Sequence, residues 1–200
     1  MSLGQDFLDK LGRAEGIKIH RNKGESDITL PYGIYKGAHA NTELGDYILA
    51  LMEKHGIKGE TANLSSYDIT LLNNALDDEV VRVYALRFYK QYLKRYALFD
   101  GDFSPALIYP FANIAVNSQK IAVRALQRAL KQLGGDLDID GLYGNATAGI
   151  LRQYGSDTAM PYLFLCFVKS EYIALALENS SKLGFLKGWD NRVNALLSYL

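Results

Sequence analysis

Residues 160–168, Met-Pro-Tyr-Leu-Phe-Leu-Cys-Phe-Val, carry almost no polar group that would want water. A helix that is apolar all round must bury itself on several sides, so the chain has to wrap other elements around this one. The stretch is too short to cross a bilayer and Lys169 ends it. The remainder can supply partners: 48% of the 200 residues are hydrophobic, enough for one large domain or for one and a half small ones.

Those partners read as helices. Phe7, Leu8 and Leu11 recur at helical spacing and place a first helix over Leu3–Glu15, with Gly16 after it. Further helices are expected over Glu43–His55, capped by Asn41 or Thr42 and stopped by Gly56, and from Ser65 or Ser66 to Asn74. A long one runs from Asp77 or Asp78 to Leu98, where Asp100-Gly101-Asp102 breaks it. Helical segments follow over Ala106–Ala115, Ser118–Leu133, from Pro161 onward, and over Asn191–Leu197 behind an Asp190 cap. Two short alternating runs, Ile17–Ile19 and Ile28–Tyr32, flank Asn22-Lys23-Gly24 and read as a small hairpin or irregular loop. The fold class is mainly α with one small β element.

Composition excludes several functions. The 22 basic and 22 acidic residues balance and form no basic stripe, which argues against nucleic acid. His20, His39 and His55 have no metal-ligand spacing, and a single cysteine builds neither a zinc site nor an internal disulfide. Cys166 is expected to be a buried small hydrophobe. Asp136, Asp138, Asp140 and Gly141 imitate the start of a calcium loop, but its twelfth position is Thr147 instead of glutamate. The segment is expected to be a turn. No nucleophile elbow or phosphate loop is present, and neither metal nor cofactor is expected.

Glu15 is the leading chemical candidate. It lies four residues past Leu11, on the apolar stripe at the helix end. Partial desolvation there favours a neutral carboxyl, the form a general acid needs. A plain solvated helix-end glutamate is the alternative. Among the fourteen tyrosines, Tyr84, Tyr89, Tyr92 and Tyr96 read as ordinary helix residues. Tyr32 and Tyr35, beside the expected hairpin, are candidates to line a sugar groove.

Ala14-Glu15-Gly16, Thr29 and Tyr32-Gly33-Ile34 resemble the opening of family 108 of the glycoside hydrolases, N-acetylmuramidases related to phage lysozymes and bacterial secretion activators. Residues 111–118, Phe-Ala-Asn-Ile-Ala-Val-Asn-Ser, resemble a later segment of that family. Ala125–Leu130, then Asp140-Gly141-Leu142-Tyr143-Gly144 and Thr147, resemble a peptidoglycan-binding module, and Lys187–Val193 resembles the family's C-terminal part. Ile17 and Lys18 replace a glycine and a tyrosine of the opening motif. Gly24 stands at the usual aspartate position, Asp27-Ile28 replaces a glycine pair, and Asn113 stands where aspartate is common.

The resemblance implies a lysozyme-like helical fold with a muramidase region over 1–116 and a peptidoglycan-binding-like region over 117–200, packed as one unit. It implies cleavage of the β-1,4 link between N-acetylmuramic acid and N-acetylglucosamine. Glu15 would be the general acid, Asp27 or Glu25 the second carboxylate and Thr29 a water-orienting hydroxyl, with Tyr32, Tyr35 and Asn117 contacting substrate. A carboxyl separation near 5 Å goes with retention, and about 6.5–9.5 Å with inversion. Two other readings stay open: a non-catalytic wall-binding or assembly protein, and a lytic transglycosylase that needs only Glu15. The expected partner is the peptidoglycan glycan strand, met by a monomer. The start MSLGQDFLDKLGRAEG has no basic-then-apolar signal. The expectation is therefore synthesis in the bacterial cytoplasm, passage through a holin-like or secretion pore, and action in the periplasm or wall.

Overall fold

The computed structural model describes residues 3–22, 25–39, 41–98 and 101–200, with Leu3 to Gln5 described by backbone alone. It is mainly helical with one two-stranded antiparallel sheet. The chain divides into two compact units, Met1–Tyr92 and Leu93–Leu200.

In the first unit, α1 (Leu3–Glu15) buries Phe7, Leu8 and Leu11, the stripe expected from spacing. Each such side chain contributes about 1.5–3 kcal/mol of transfer free energy. Gly16 ends the helix at φ 83°, a left-handed conformation that glycine adopts without steric cost. Two strands follow, β1 (Thr29–Leu30) and β2 (Ile34–Tyr35), joined by a 3₁₀ turn over Pro31–Gly33. Then come α2 (Glu43–Lys54), α3 (Ser66–Ala75) and α4 (Asp78–Tyr92). The Thr42 hydroxyl caps α2 and a reciprocal Ser65–Asp68 capping box opens α3. Helix α4 packs on α1 and α2, and the Phe7 and Tyr89 rings meet edge to face with their centroids 5.6 Å apart.

The hairpin is not the one expected from the sequence. Strand β1 pairs with β2, Thr29 opposite Tyr35, and the 17–19 run adds only a bridge from His20 to Thr29. The Ile19 backbone is held by a side-chain amide. Asn73 Oδ1 accepts the Ile19 N–H at 2.7 Å and Asn73 Nδ2 donates to the Ile19 carbonyl at 2.9 Å. Beside the doubly bonded His20–Thr29 pair the Ile19 N–H and carbonyl point away from β1, and Asn73 satisfies them from α3. The next ladder residue, Lys18, would face Pro31, which has no N–H to give. Lys23 and Gly24 of the expected turn lie outside the described residues.

The second unit holds α5 (Pro105–Asn117), α6 (Gln119–Gln132), α7 (Asn145–Tyr154), α8 (Met160–Glu178) and α9 (Leu186–Leu197). Helix α5 packs on α6 and α8, so residues 93–116 group with the C-terminal part, ahead of the 116/117 boundary expected from the sequence. Every residue of α5 from Leu107 to Ala115 is buried. The all-round buried helix is therefore α5, whereas α8 packs against α6 and α9 and leaves Ile173 and Leu177 exposed. Cys166 on α8 is exposed, contrary to its expected burial.

Two helix limits also differ from expectation. Helix α4 stops at Tyr92, and a 3₁₀ turn over Lys94–Tyr96 closes on Ala97 at φ 47°. Helix α9 starts four positions before Asp190, which lies inside it and pairs with Lys169 instead of capping. Helix α7 has a weak apolar pattern and was not expected.

Replacing Asn73 by Ala strands both backbone groups of Ile19 and is expected to destabilise the first unit by about 1–3 kcal/mol. A lowered urea midpoint at unchanged slope is the readout.

Candidate functional site

Glu15 is the last residue of α1 and is half-buried. Directly after it the chain reverses, and the 31–33 turn folds back onto the helix end. The Tyr32 N–H donates to the Gly16 carbonyl at 2.8 Å. The Tyr89 hydroxyl, from α4, donates to the Tyr32 carbonyl at 2.6 Å. Tyr32 is thereby held at φ 63°, a left-handed conformation that costs an L-residue roughly 1–2 kcal/mol. Such strain persists only where the surroundings enforce it.

The turn brings Gly33 against Glu15. A Cβ on Gly33 would stand 3.1 Å from Glu15 Cβ and 3.2 Å from its Oε2. Glycine is therefore required twice over, by that approach and by its φ of 75°. Burial first, and the charge of Glu15 second, push the Tyr89 hydroxyl well above its usual range. The phenol stays protonated and keeps donating to Tyr32.

A second carboxylate hangs on the other end of the same short segment. The Thr29 hydroxyl donates to Glu25 Oε2 at 2.8 Å, and Asn22 Nδ2 donates to Oε1 at 3.0 Å. The Asn22 N–H adds a longer bond to Oε2 at 3.3 Å. Burial raises the Glu25 pKa, but the Asn22 and Thr29 hydrogen bonds outweigh it, helped by nearby His20, and the net shift is downward. Thr29 itself is buried. Asp27 is engaged differently, its Oδ1 accepting the N–H of Ile28 at 2.7 Å. Gly24, the usual aspartate position of the resembling family, lies outside the described residues.

The structure thus gathers Glu15, Tyr32 and Gly33 at one end of residues 29–33, and Glu25 with Thr29 at the other. Tyr32 is only 7% exposed, which limits it as a stacking surface. Its ring lines a groove of about 410 Å³ with Asp9, Arg13 and Arg82, a lining that includes neither Glu15 nor Glu25. Tyr35 is half-buried, and its hydroxyl lies 3.0 Å from Ser26 Oγ. Asn117 is exposed in the second unit, donating to the Asn113 carbonyl at 2.8 Å. Sequence reasoning missed an aromatic groove of about 480 Å³ lined by His39, Tyr84, Phe88 and Tyr92. The two tyrosines and Phe88 recur at i and i+4 along α4, which was the available signal.

In the second unit the Gln127 amide organises the segment that resembles a peptidoglycan-binding module. Gln127 is 1% exposed. Its Oε1 accepts the Gly141 N–H at 2.9 Å, and its Nε2 donates to Asp140 Oδ1 at 2.7 Å. Asp140 Oδ1 also accepts the Leu142 N–H at 2.8 Å. These bonds explain the downward shift of its pKa, led by the Leu142 N–H. Of the calcium-like acids, Asp140 is thereby fastened to α6, in a bend with Gly141.

The predicted peptidoglycan domain family matches residues 121–194. That span runs from α6 into α9, and the match supports association with peptidoglycan and action at the cell wall or periplasm. No curated protein and no solved structure matches the chain.

Glu25 has a lowered folded-state pKa, so it contributes stability that is complete above its ordinary value of 4.5 and is lost as pH falls through the folded value. Thr29→Val removes one of the bonds responsible. The stability gap between wild type and Thr29→Val is expected to hold constant above about pH 5 and to narrow on acidification, as followed by denaturant titration at several pH values.

Proposed function

We propose that the chain is a peptidoglycan hydrolase, an N-acetylmuramidase with Glu15 as general acid and Glu25 as the second carboxylate. The observation that carries this reading is the pair of glutamates fixed to opposite ends of residues 29–33, one packed on Gly33 and one bonded to Thr29. Glycoside cleavage needs two such groups in different protonation states. Hydrogen bonds from Asn22 and Thr29 favour the ionised form of Glu25.

The steps follow from those states. The Glu15 proton passes to the glycosidic oxygen as the bond to C1 of N-acetylmuramic acid breaks. The oxygen leaves as the 4-hydroxyl of N-acetylglucosamine. Positive charge develops on C1 and the ring oxygen, and Glu25 stabilises it or takes the proton of the water that adds to C1. Proton donation by a positioned acid contributes roughly 10²–10⁴-fold in rate. Glu25 is preferred over Asp27 because it shares its bonds with Thr29, whereas Asp27 caps its own neighbour. Tyr35 is the more accessible of the two tyrosines proposed to contact sugar.

One observation favours a binding protein without catalysis. The family match covers residues 121–194 and leaves out every residue of the glutamate pair. Products decide between the readings. Mass spectrometry of digested sacculi is expected to find reducing N-acetylmuramic acid ends with wild type and none with Glu15→Gln. Anhydro ends would make the protein a lytic transglycosylase. Sacculus binding with no product from either protein would leave a binding module.

A further inference from the structure

We infer that the groove between α6 and α8 is a carboxylate-binding site that takes the peptide stem of peptidoglycan. This inference deepens the peptidoglycan reading of the second unit and does not depend on catalysis by Glu15.

The groove has a volume of about 350 Å³ and is built around one acid, Glu171. Its side chain is 10% exposed, and each of its oxygens is taken by a different arginine. Arg124 Nε donates to Oε2 at 2.9 Å and Arg128 Nε donates to Oε1 at 2.7 Å. Only the Nε–H of each guanidinium is used. Among the described residues, neither arginine gives a hydrogen bond from its terminal nitrogens. The two guanidinium groups come from successive turns of α6, held by one carboxylate, with spare donors.

The site is braced from below by the Gln127-held turn. A Cβ on Gly141 would stand 3.1 Å from Lys120 Cγ and 3.2 Å from Arg124 Cγ. The stems of both cations therefore rest on the glycine backbone, and the buried amide of Gln127 fixes that backbone. Rotamer freedom that a surface arginine would lose on binding is largely spent beforehand. Lys120, Arg124 and Arg128 face Glu171 and Glu178 in the lining, which leaves a positive balance in a chain of zero net charge.

Guanidinium forks match carboxylates in geometry and charge. The residues that form the pair, Arg124, Arg128 and Glu171, all lie within the span that matches the predicted peptidoglycan domain. In that polymer the glycan backbone is rich in hydroxyl and acetamido groups, whereas the stems end in carboxylates. Charge complementarity therefore selects the stem.

The test uses the full chain carrying Glu15→Gln, so that ligand is not consumed. Calorimetry compares soluble muropeptides bearing stems with a stem-free N-acetylglucosamine oligosaccharide, which carries the hydroxyl and acetamido groups of the backbone and no carboxylate. Stem-bearing ligand is expected to bind about tenfold more tightly, the effect of one or two charge-assisted hydrogen bonds. Arg124→Lys with Arg128→Lys keeps positive charge beside Glu171 but removes the forks, and should erase that preference at an unchanged thermal midpoint. Lys120→Gln, which leaves the arginine–Glu171 pairing intact, should weaken stem binding severalfold.

Equal affinity for the stem-free oligosaccharide and for stem-bearing muropeptides would overturn the inference, as would undiminished preference in the double lysine variant. Displacement by inorganic phosphate at the concentrations that free stem peptide requires would also overturn it, making the groove a general anion site. A parent protein that fails to bind sacculi at all would instead remove the peptidoglycan reading on which the inference rests.

Discussion

The Tyr32 peptide is fixed from both sides, by the Gly16 carbonyl on its N–H and by the Tyr89 hydroxyl on its carbonyl. Much of the first unit's chemistry depends on that clamp. It holds a non-glycine residue in a left-handed conformation, folds Gly33 onto Glu15, and sets the direction in which β2 returns along β1. The clamp in turn relies on α4 packing against α1, because Tyr89 reaches Tyr32 only from that helix. The buried phenol cannot readily ionise, so the donor is permanent across ordinary pH. The turn that packs on the proposed acid at the end of α1 is thus anchored to both α1 and α4.

The second unit solves a similar problem with an amide. Gln127 reaches Asp140, Gly141, Leu142 and Thr147 from one buried side chain. An amide has both donors and an acceptor, so it can satisfy several backbone and side-chain groups without placing a charge in the core. A carboxylate there would lack the donors that Asp140 and the Leu142 carbonyl require. The Leu126-Gln127, Asp140-Gly141 and Thr147 pattern is therefore one hydrogen-bonded object, and its spacing reflects the path from α6 through the turn to α7.

Helices marked by caps, glycine stops and apolar spacing were legible in the sequence. Helix α1 matches its expected limits, and α2, α3, α5 and α6 fall within a residue or two of theirs. What escaped were choices settled by distant groups. The outward backbone groups of Ile19 are met by Asn73, 54 residues away. The burial of α5 and the exposure on α8 were not legible because both are apolar on most faces; only packing decides which is enclosed. The end of α4 at Tyr92 lies inside a continuous aromatic periodicity, and the left-handed Ala97 beyond it carries no glycine signal. At the candidate site, the place of Glu15 at the end of its helix was readable from the order of residues, whereas its packing on Gly33 is made by the clamp from Tyr89. The preference for Glu25 over Asp27 was not, because both acids sit within four residues of Thr29 and only hydrogen bonding separates them.

Net charge was read as evidence against nucleic acid, an argument made at the scale of the whole chain. Recognition acts over shorter distances. Fields from exposed charges decay within about 8 Å at physiological ionic strength, so a ligand senses the few groups lining its site and not the total. The arginine pair on Glu171 is invisible to a composition count, since each cation is offset by an acid elsewhere in the chain. It is also only half visible in the sequence, where Arg124 and Arg128 show their i, i+4 spacing but the acid that unites them lies 43 residues beyond the second. Helical spacing that would ordinarily set two like charges repelling each other becomes tolerable once α8 delivers a nearly buried carboxylate between them. The packing of α6 on α8 therefore does more than close a core. It sets two cations side by side and leaves their outer donors unspent, an arrangement that neither helix can make alone.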